Sequence, residues 1–201
     1  MSMFHGDDHA VLSGFSSYLE RVGRSPATQA IYRTVAADLL LAADGRRFSE
    51  LRAAEIDAYL GRWREAFIET HGRAPRAATY RNRVNALRAF YSWMERFELL
   101  RDSSGVPCPN PMRSVDAPRV DQRANDWLRP SEDRALLKGH FPDHERLIVT
   151  LLRWSGLRVS EAVSLRRCDV DLASGEETIV VRQSKTPAGR RSIPLLPPLL
   201  V

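Results

Sequence analysis

The sequence predicts a mainly α-helical chain in two parts, with a small antiparallel sheet confined to the second. Three observations lead to this. Apolar residues recur at helical spacing in four segments of the first hundred residues. Five prolines (107, 109, 111, 118 and 130) then break any helix. Beyond them comes a β-branched run, Thr178-Ile179-Val180-Val181, followed by turn residues and a second extended stretch.

The four helices take up residues 9–104. In the first, Val11, Leu12, Phe15, Leu19 and Val22 form an apolar stripe. The second opens at Ser25-Pro26, an N-cap oxygen followed by proline at the first helical position, and its stripe is Ile31, Val35 and Leu39. The third carries Ile56, Leu60, Trp63 and Phe67 and stops near Gly72. The fourth runs from about Arg76 to Leu99, with Val84, Leu87, Tyr91 and Met94 inward. Such stripes face a core, and four short-looped helices bury enough surface to stand as a small domain.

The flanking segments differ in character. Residues 1–8 are polar and acidic and are expected to be disordered. Residues 105–126, rich in proline and charge, are expected to form a linker. The second domain, 127–201, should open with a helix near Pro130, its first turn carrying Glu132 and Asp133, where acids suit the helix dipole. A helix over about His144–Trp154 should end at Ser155-Gly156, and a short one should follow over about Ser160–Arg166. The strand at 178–181, a turn at 184–189 and a returning strand at Arg191–Leu195 complete the reading.

Composition narrows the function classes. The longest dense apolar run, Leu147–Leu152, is far short of the roughly 20 residues a membrane span needs. Cys108 and Cys168 make no disulfide framework, so a reducing cytoplasm is the simplest compartment. His140 and His144 are separated by Pro142, which spoils a shared helix face, so no metal site is expected. No glycine-rich phosphate loop and no Gly-x-Ser-x-Gly elbow occurs, and no cofactor is expected.

Charge is more informative by position than by sum. The net charge is +5, and the segment from Arg73 to Arg96 alone, with six arginines and one acid, carries the same surplus. At about 100° per residue, Arg81, Asn85, Arg88 and Ser92 share one stripe of the fourth helix, beside its apolar arc. Such a helix can pack by one side and present guanidinium forks and hydrogen-bonding groups by the other. Phosphates and base edges are natural targets for that set. Lysine is rare: of 30 basic residues only Lys138 and Lys185 are lysine.

The stretch Thr79-Tyr80-Arg81-Asn82-Arg83-Val84-Asn85-Ala86-Leu87-Arg88-Ala89-Phe90-Tyr91-Ser92-Trp93 resembles the fourth helix of the core-binding domain of tyrosine recombinases, the phage integrase and Xer-like family. The resemblance implies a SAM-like four-helix domain that grips one face of double-stranded DNA. Arg76, Thr79, Arg81, Arg83, Asn85 and Arg88 are the DNA-binding candidates it points to.

Two further stretches resemble the same family. Ser155-Gly156-Leu157-Arg158-Val159-Ser160-Glu161 is similar to the first catalytic box. The glycine break puts Arg158 at a helix start, where phosphate is favoured, with Ser160 available as a cap. A fixed guanidinium there suits the charge that phosphoryl transfer builds on nonbridging oxygens. The resemblance implies that Arg158 binds the scissile phosphate and that Glu161 supports it. The segment Asp169-Val170-Asp171, Thr178–Val181, Ser184-Lys185-Thr186 and Arg191-Ser192-Ile193-Pro194-Leu195 resembles the family's catalytic hairpin, in which Lys185 would protonate the leaving 5′ oxygen. Two positions depart from the family pattern: Arg167 stands where tryptophan is usual, and Arg129 where a capping Thr or Ser is usual.

The family's nucleophilic tyrosine, second arginine and His-x-x-Arg box have no counterpart here. All five tyrosines (18, 32, 59, 80 and 91) precede the proline-rich stretch. The expectation is therefore a DNA-binding fragment of a site-specific recombinase, cut within the α+β catalytic domain, with an incomplete site of Arg158, Glu161 and Lys185 and no ability to cleave DNA alone. A non-enzymatic competitor or regulator at recombination sites, and an inert gene remnant, are the alternatives. Partners would be duplex DNA and other recombinase subunits, with no membrane. A partial catalytic domain should leave apolar surface exposed around Leu195–Val201 and be marginally stable.

Overall fold

The structure is a computed structural model that describes residues 6–120, 127–173, 175, 177–182, 189–196 and 199. The chain divides into two compact units, Met1–Arg123 and Ala124–Val201.

The first unit is helical. Helices α1 (Gly6–Arg21), α2 (Pro26–Ala42), α3 (Ala53–His71) and α4 (Ala77–Arg96) follow the four apolar stripes. Ser25 caps α2, its Oγ accepting from the Thr28 amide at 3.3 Å, with Pro26 in the first turn. Gly72 ends α3 at φ 64°, a left-handed conformation that glycine adopts without strain. All four residues expected inward on α4 are buried.

The core is aromatic and centred on α4. Phe90 meets Phe48 edge-on at 4.7 Å and Phe15 at 5.1 Å between ring centroids. Next to it, Tyr91 is fully buried and donates its hydroxyl to the Phe48 carbonyl at 3.1 Å. Phe48 lies in a 3-10 turn, Phe48–Glu50, so this contact closes the α2–α3 connection onto α4.

The structure corrects four expectations in this unit. Residues 6–8, expected to be disordered, are the first turn of α1, and Asp8 is buried. Acids in a first turn suit the helix dipole, which favours helix over a frayed end. On α2 the buried arc is Val35, Ala36, Leu39 and Leu40, and Ile31, a turn earlier, is 53% exposed. Val22, expected on the α1 stripe, likewise lies outside the core, beyond the last helical residue. Finally, the first part of the expected linker is packed. Met112 and Val115 are buried in the helical core around a 3-10 turn, Pro111–Ser114. Asn110 secures it: its side chain accepts from the Met112 amide and donates to Glu95 of α4, both at 3.0 Å. Proline stops a helix but does not prevent a capped turn from burying its apolar residues.

The second unit contains α5 (Pro130–Lys138), α6 (Asp143–Ser155), α7 (Val159–Val163) and a three-stranded antiparallel sheet. Its strands are β1 (Val170–Asp171), β2 (Thr178–Val181) and β3 (Arg191–Pro194), in the order β1-β2-β3. Val170 pairs with Ile179, and Ile179 with Ile193. Alternation along β2 buries Ile179 and Val181 against Leu157 and Ala162. Glu132 rescues the uncapped start of α5, its carboxylate accepting from the Arg129 amide at 2.7 Å. Arg153 of α6 pairs with Asp133 of α5 at 2.6 Å. The expected turn at 184–189 falls largely on residues 183–188, outside the described residues. Of the apolar end, Leu195 packs on the core and Leu196 is exposed.

The two units differ in how much they bury. Among the described residues no side chain of α5 or α6 is fully buried, while Leu147, Val159, Val163 and Leu172 are exposed. The second unit should therefore open first. Limited trypsin digestion is expected to leave a resistant fragment ending near Arg119, with residues 127–201 degraded earlier; survival of 127–201 instead would contradict it.

Two buried tyrosines make the helical unit sensitive to alkali. Burial pushes the Tyr59 phenol up to about 12, and pushes Tyr91 higher still. A raised folded pKa means that stability is intact below the ordinary tyrosine value of about 10 and is lost as pH climbs through the folded value. Between about pH 9 and about pH 11 the unit should lose on the order of 1 kcal/mol from Tyr59 alone. Denaturant titrations at both pH values check this: a Y59F/Y91F chain should show a clearly smaller pH-dependent loss than the wild type.

Candidate functional site

Two sets of candidate functional side chains emerge, one in each unit. In the first, α4 packs by its aromatic side and leaves Arg76, Thr79, Arg81 and Asn85 exposed, with Ser92 two turns beyond Asn85 on the same side. Arg88 is half-buried and donates from Nη2 to the Val115 carbonyl at 2.6 Å. That bond ties α4 to the chain after the Pro111–Ser114 turn. Between them opens a shallow pocket of about 570 Å³ whose walls include Arg81, Arg88, Asp116 and Arg119. Among the described residues, neither Arg81 nor Arg88 has an ion pair with a carboxylate. Their positive charge therefore remains available to an anion from outside.

Arg83 does not belong to this face, contrary to the expectation. Its side chain is 10% exposed and turned into the fold. It bonds Asp38 at 2.5 Å and the Tyr59 hydroxyl, and its guanidinium lies 4.6 Å from the Trp63 ring centroid. Two residues beyond Arg81, it sits roughly 200° around the helix and meets α2 and α3 instead. A desolvated arginine needs such a set of partners.

In the second unit, Gly156 takes a left-handed conformation at φ 63° and ends α6, so that Arg158 becomes the N-cap of α7. The Glu161 side chain is 2% exposed. Its carboxylate accepts from the Arg158 amide at 3.0 Å, the Arg158 guanidinium at 2.8 Å and the Arg191 guanidinium at 3.2 Å. Glu161, not Ser160, is the capping group of this helix. The Arg158 amide is thus already satisfied by the chain itself. The Arg158 side chain remains 63% exposed. One buried carboxylate holding two arginines leaves a net positive, preorganised pair, suited to a tetrahedral oxyanion.

A parallel arrangement lies nearby. Asp169 accepts from the Arg166 amide at 2.9 Å and from Arg182 Nε at 2.6 Å. The amide bond, then the guanidinium, hold its carboxyl below the usual carboxylate range. The structure therefore brings Arg158, Glu161 and Arg191 together. Lys185 lies outside the described residues. Arg191 was legible as the first residue of the returning strand and as part of the hairpin that resembles the family's, not as a site residue; its register opposite Val181 is what aims it at Glu161.

No protein-family model matches this chain. It is 31% identical over 181 residues to the tyrosine recombinase XerA of Thermococcus kodakarensis, covering 89% of this chain and 55% of that protein. Similarity to the tyrosine recombinase of Thermosipho africanus is 26% over 80% of this chain and 54% of that protein, and to XerC of Chromobacterium violaceum 29% over 79% and 50%. This chain belongs to the tyrosine recombinase family. It spans about half the length of the curated relatives it matches.

The fold agrees with the family. A lambda integrase tetramer bound to a Holliday junction superposes with a TM-score of 0.66 at 19% identity, over 98% of this chain and 55% of that one. The Tn1549 transposon integrase, in complex with circular intermediate DNA, gives 0.62 at 17% identity over 94% and 62%. Both support the mainly helical recombinase fold with its small antiparallel sheet. No helix among the described residues is long and apolar enough to cross a membrane.

The contrast between two arginines on one helix is measurable. Arg83→Ala should lower the stability of the helical unit by about 2–3 kcal/mol, since it removes a largely desolvated cation and strands the groups around it. Arg83→Lys should recover little, because an ammonium cannot fork between Asp38 and Tyr59. Arg81→Ala, at an exposed position, should stay within about 0.5 kcal/mol of the wild type. Equal losses for both alanine variants in thermal melts would overturn the distinction.

Proposed function

We propose that the chain binds double-stranded DNA through the exposed side of α4 and supplies the Arg158–Glu161–Arg191 cluster to a phosphoryl-transfer site of the tyrosine recombinase type. The observation that carries this reading is the pair Arg81 and Arg88: they border an open pocket and lack a carboxylate partner among the described residues. Asn85, four residues beyond Arg81, extends the contact surface along the helix, and Arg76 and Thr79 are exposed at the helix start. Phosphate contacts position a protein on DNA, and Asn85 adds a group able to read an adenine edge.

In the strand-transfer site, Arg158 binds the scissile phosphate. Glu161 positions it from beneath, and Arg191 shares that carboxylate. Lys185 is the candidate proton donor to the leaving oxygen, by resemblance alone. Residues 124–201 contain no tyrosine, and Tyr59 and Tyr91 are buried in the helical core. In this reading the chain holds DNA and contributes arginines to the strand-transfer site. Other recombinase subunits are the protein partners it implies.

A gel-shift titration with duplex DNA at two salt concentrations tests the reading. Affinity should fall steeply with salt, as release of counterions requires. Replacing Arg81 and Arg88 together by alanine should weaken binding at least about tenfold, near 1.4 kcal/mol, and reduce the salt slope by about 2. An unchanged affinity in that variant would remove α4 from the interface.

A further inference from the structure

The pocket beside α4 holds a residue that phosphate binding does not account for. Asp116 shares its wall with Arg81, Arg88 and Arg119. A carboxylate there repels phosphate, so a pocket serving only the backbone gains nothing from it. Asp116 is exposed and forms no ion pair with any of the three among the described residues.

Its position is nevertheless well defined. The preceding residue, Val115, is held twice: its side chain is buried in the helical core and its carbonyl accepts from Arg88. Pro118 restricts the backbone two residues later. An acceptor-only group is therefore held on a cationic surface without a donor of its own among the described residues.

Base edges supply that donor. In the major groove cytosine offers its N4 amino group alone, whereas adenine places the N7 acceptor beside its amino group and guanine offers only acceptors. A carboxylate is matched to the first and repelled by the acceptors of the other two.

We propose that Asp116 is a sequence-reading residue, its carboxylate accepting a hydrogen bond from a cytosine N4 amino group while Arg81, Arg88 and Arg119 hold the flanking phosphates. This rests on the DNA-binding reading above and adds to it a point of base selectivity located outside the helix. Arg119, by the same placement, is a further phosphate contact.

Selection from a pool of randomised duplexes with the full chain, followed by sequencing of the bound fraction, tests it. Wild-type protein should enrich cytosine at one position by at least about fivefold, the lower end of what one mismatched pair is worth. Asp116→Asn should abolish that enrichment, or move it towards adenine, which an amide pairs with through both its groups. Asp116→Asn should also bind unselected duplex more tightly at low salt and melt at the wild-type temperature. Arg119→Ala should weaken binding to all sequences alike and lower the salt slope by about 1. If Asp116→Asn tightens binding while keeping the wild-type base preference, Asp116 only restrains phosphate binding and the inference fails, with DNA binding intact. If the wild type binds no duplex even at low salt, the DNA-binding reading fails and this one with it.

Discussion

The helical unit depends on the burial of Phe90 between Phe15 and Phe48. That ring contact joins α4 to α1 and to the turn between α2 and α3, three places far apart in sequence. Each aromatic side chain contributes a large apolar area, and edge-on pairing adds to it. Because α4 is anchored along this one side, the direction of every other residue on it is fixed. Arg81, Asn85 and Arg88 must lie away from the rings, and Arg83 must lie against α2 and α3. The cationic face is thus a geometric consequence of the core, not a separately assembled feature.

The same logic explains which parts could be read from sequence. Helix positions, the Val84–Leu87–Tyr91–Met94 stripe and strand β2 were legible, because each is a local periodicity that burial then reinforces. So was the Gly156 break that sets Arg158 at the start of α7. Asn110, Met112 and Val115 were not. Prolines mark the end of regular structure, yet they do not say whether the chain leaves the surface or stays on it. That is decided by Asn110 bonding to Glu95, a contact across fifteen positions. Arg83 was misread for a related reason. Composition identifies an arginine, but only tertiary structure shows whether a carboxylate and two aromatic rings already surround it.

In the second unit, buried acids organise exposed arginines. Glu161 orients Arg158 and Arg191, while Asp169 orients Arg182 and satisfies the Arg166 amide. Both carboxylates also cap a helical turn, so the groups that hold the guanidiniums are fixed by backbone geometry. Under the proposed function this matters for phosphoryl transfer. A guanidinium already held in place loses little orientational freedom when charge develops on a phosphate, which is the condition under which electrostatic stabilisation is greatest. The familiar capping pattern in sequence, an acid three residues after a helix start, here coincides with the proposed site. Capping alone gives no reason to bury Glu161 beneath two arginines, and the site reading does.

Arginine thus takes three separate roles in one chain, and its partners distinguish them. Arg83 is enclosed by a carboxylate, a hydroxyl and rings, and its charge is consumed by the fold. Arg158 and Arg191 share a single carboxylate, so part of their charge remains for a ligand. Arg81 has no carboxylate among the described residues and faces open solvent. A net charge of +5 cannot separate these cases, since it weighs all thirty basic residues alike. The useful quantity is the charge left over after internal pairing, taken face by face. On that measure the pocket beside α4 and the cluster at α7 stand out within their respective units, and Asp116 in the first is conspicuous because, among the described residues, no arginine around it pairs with it.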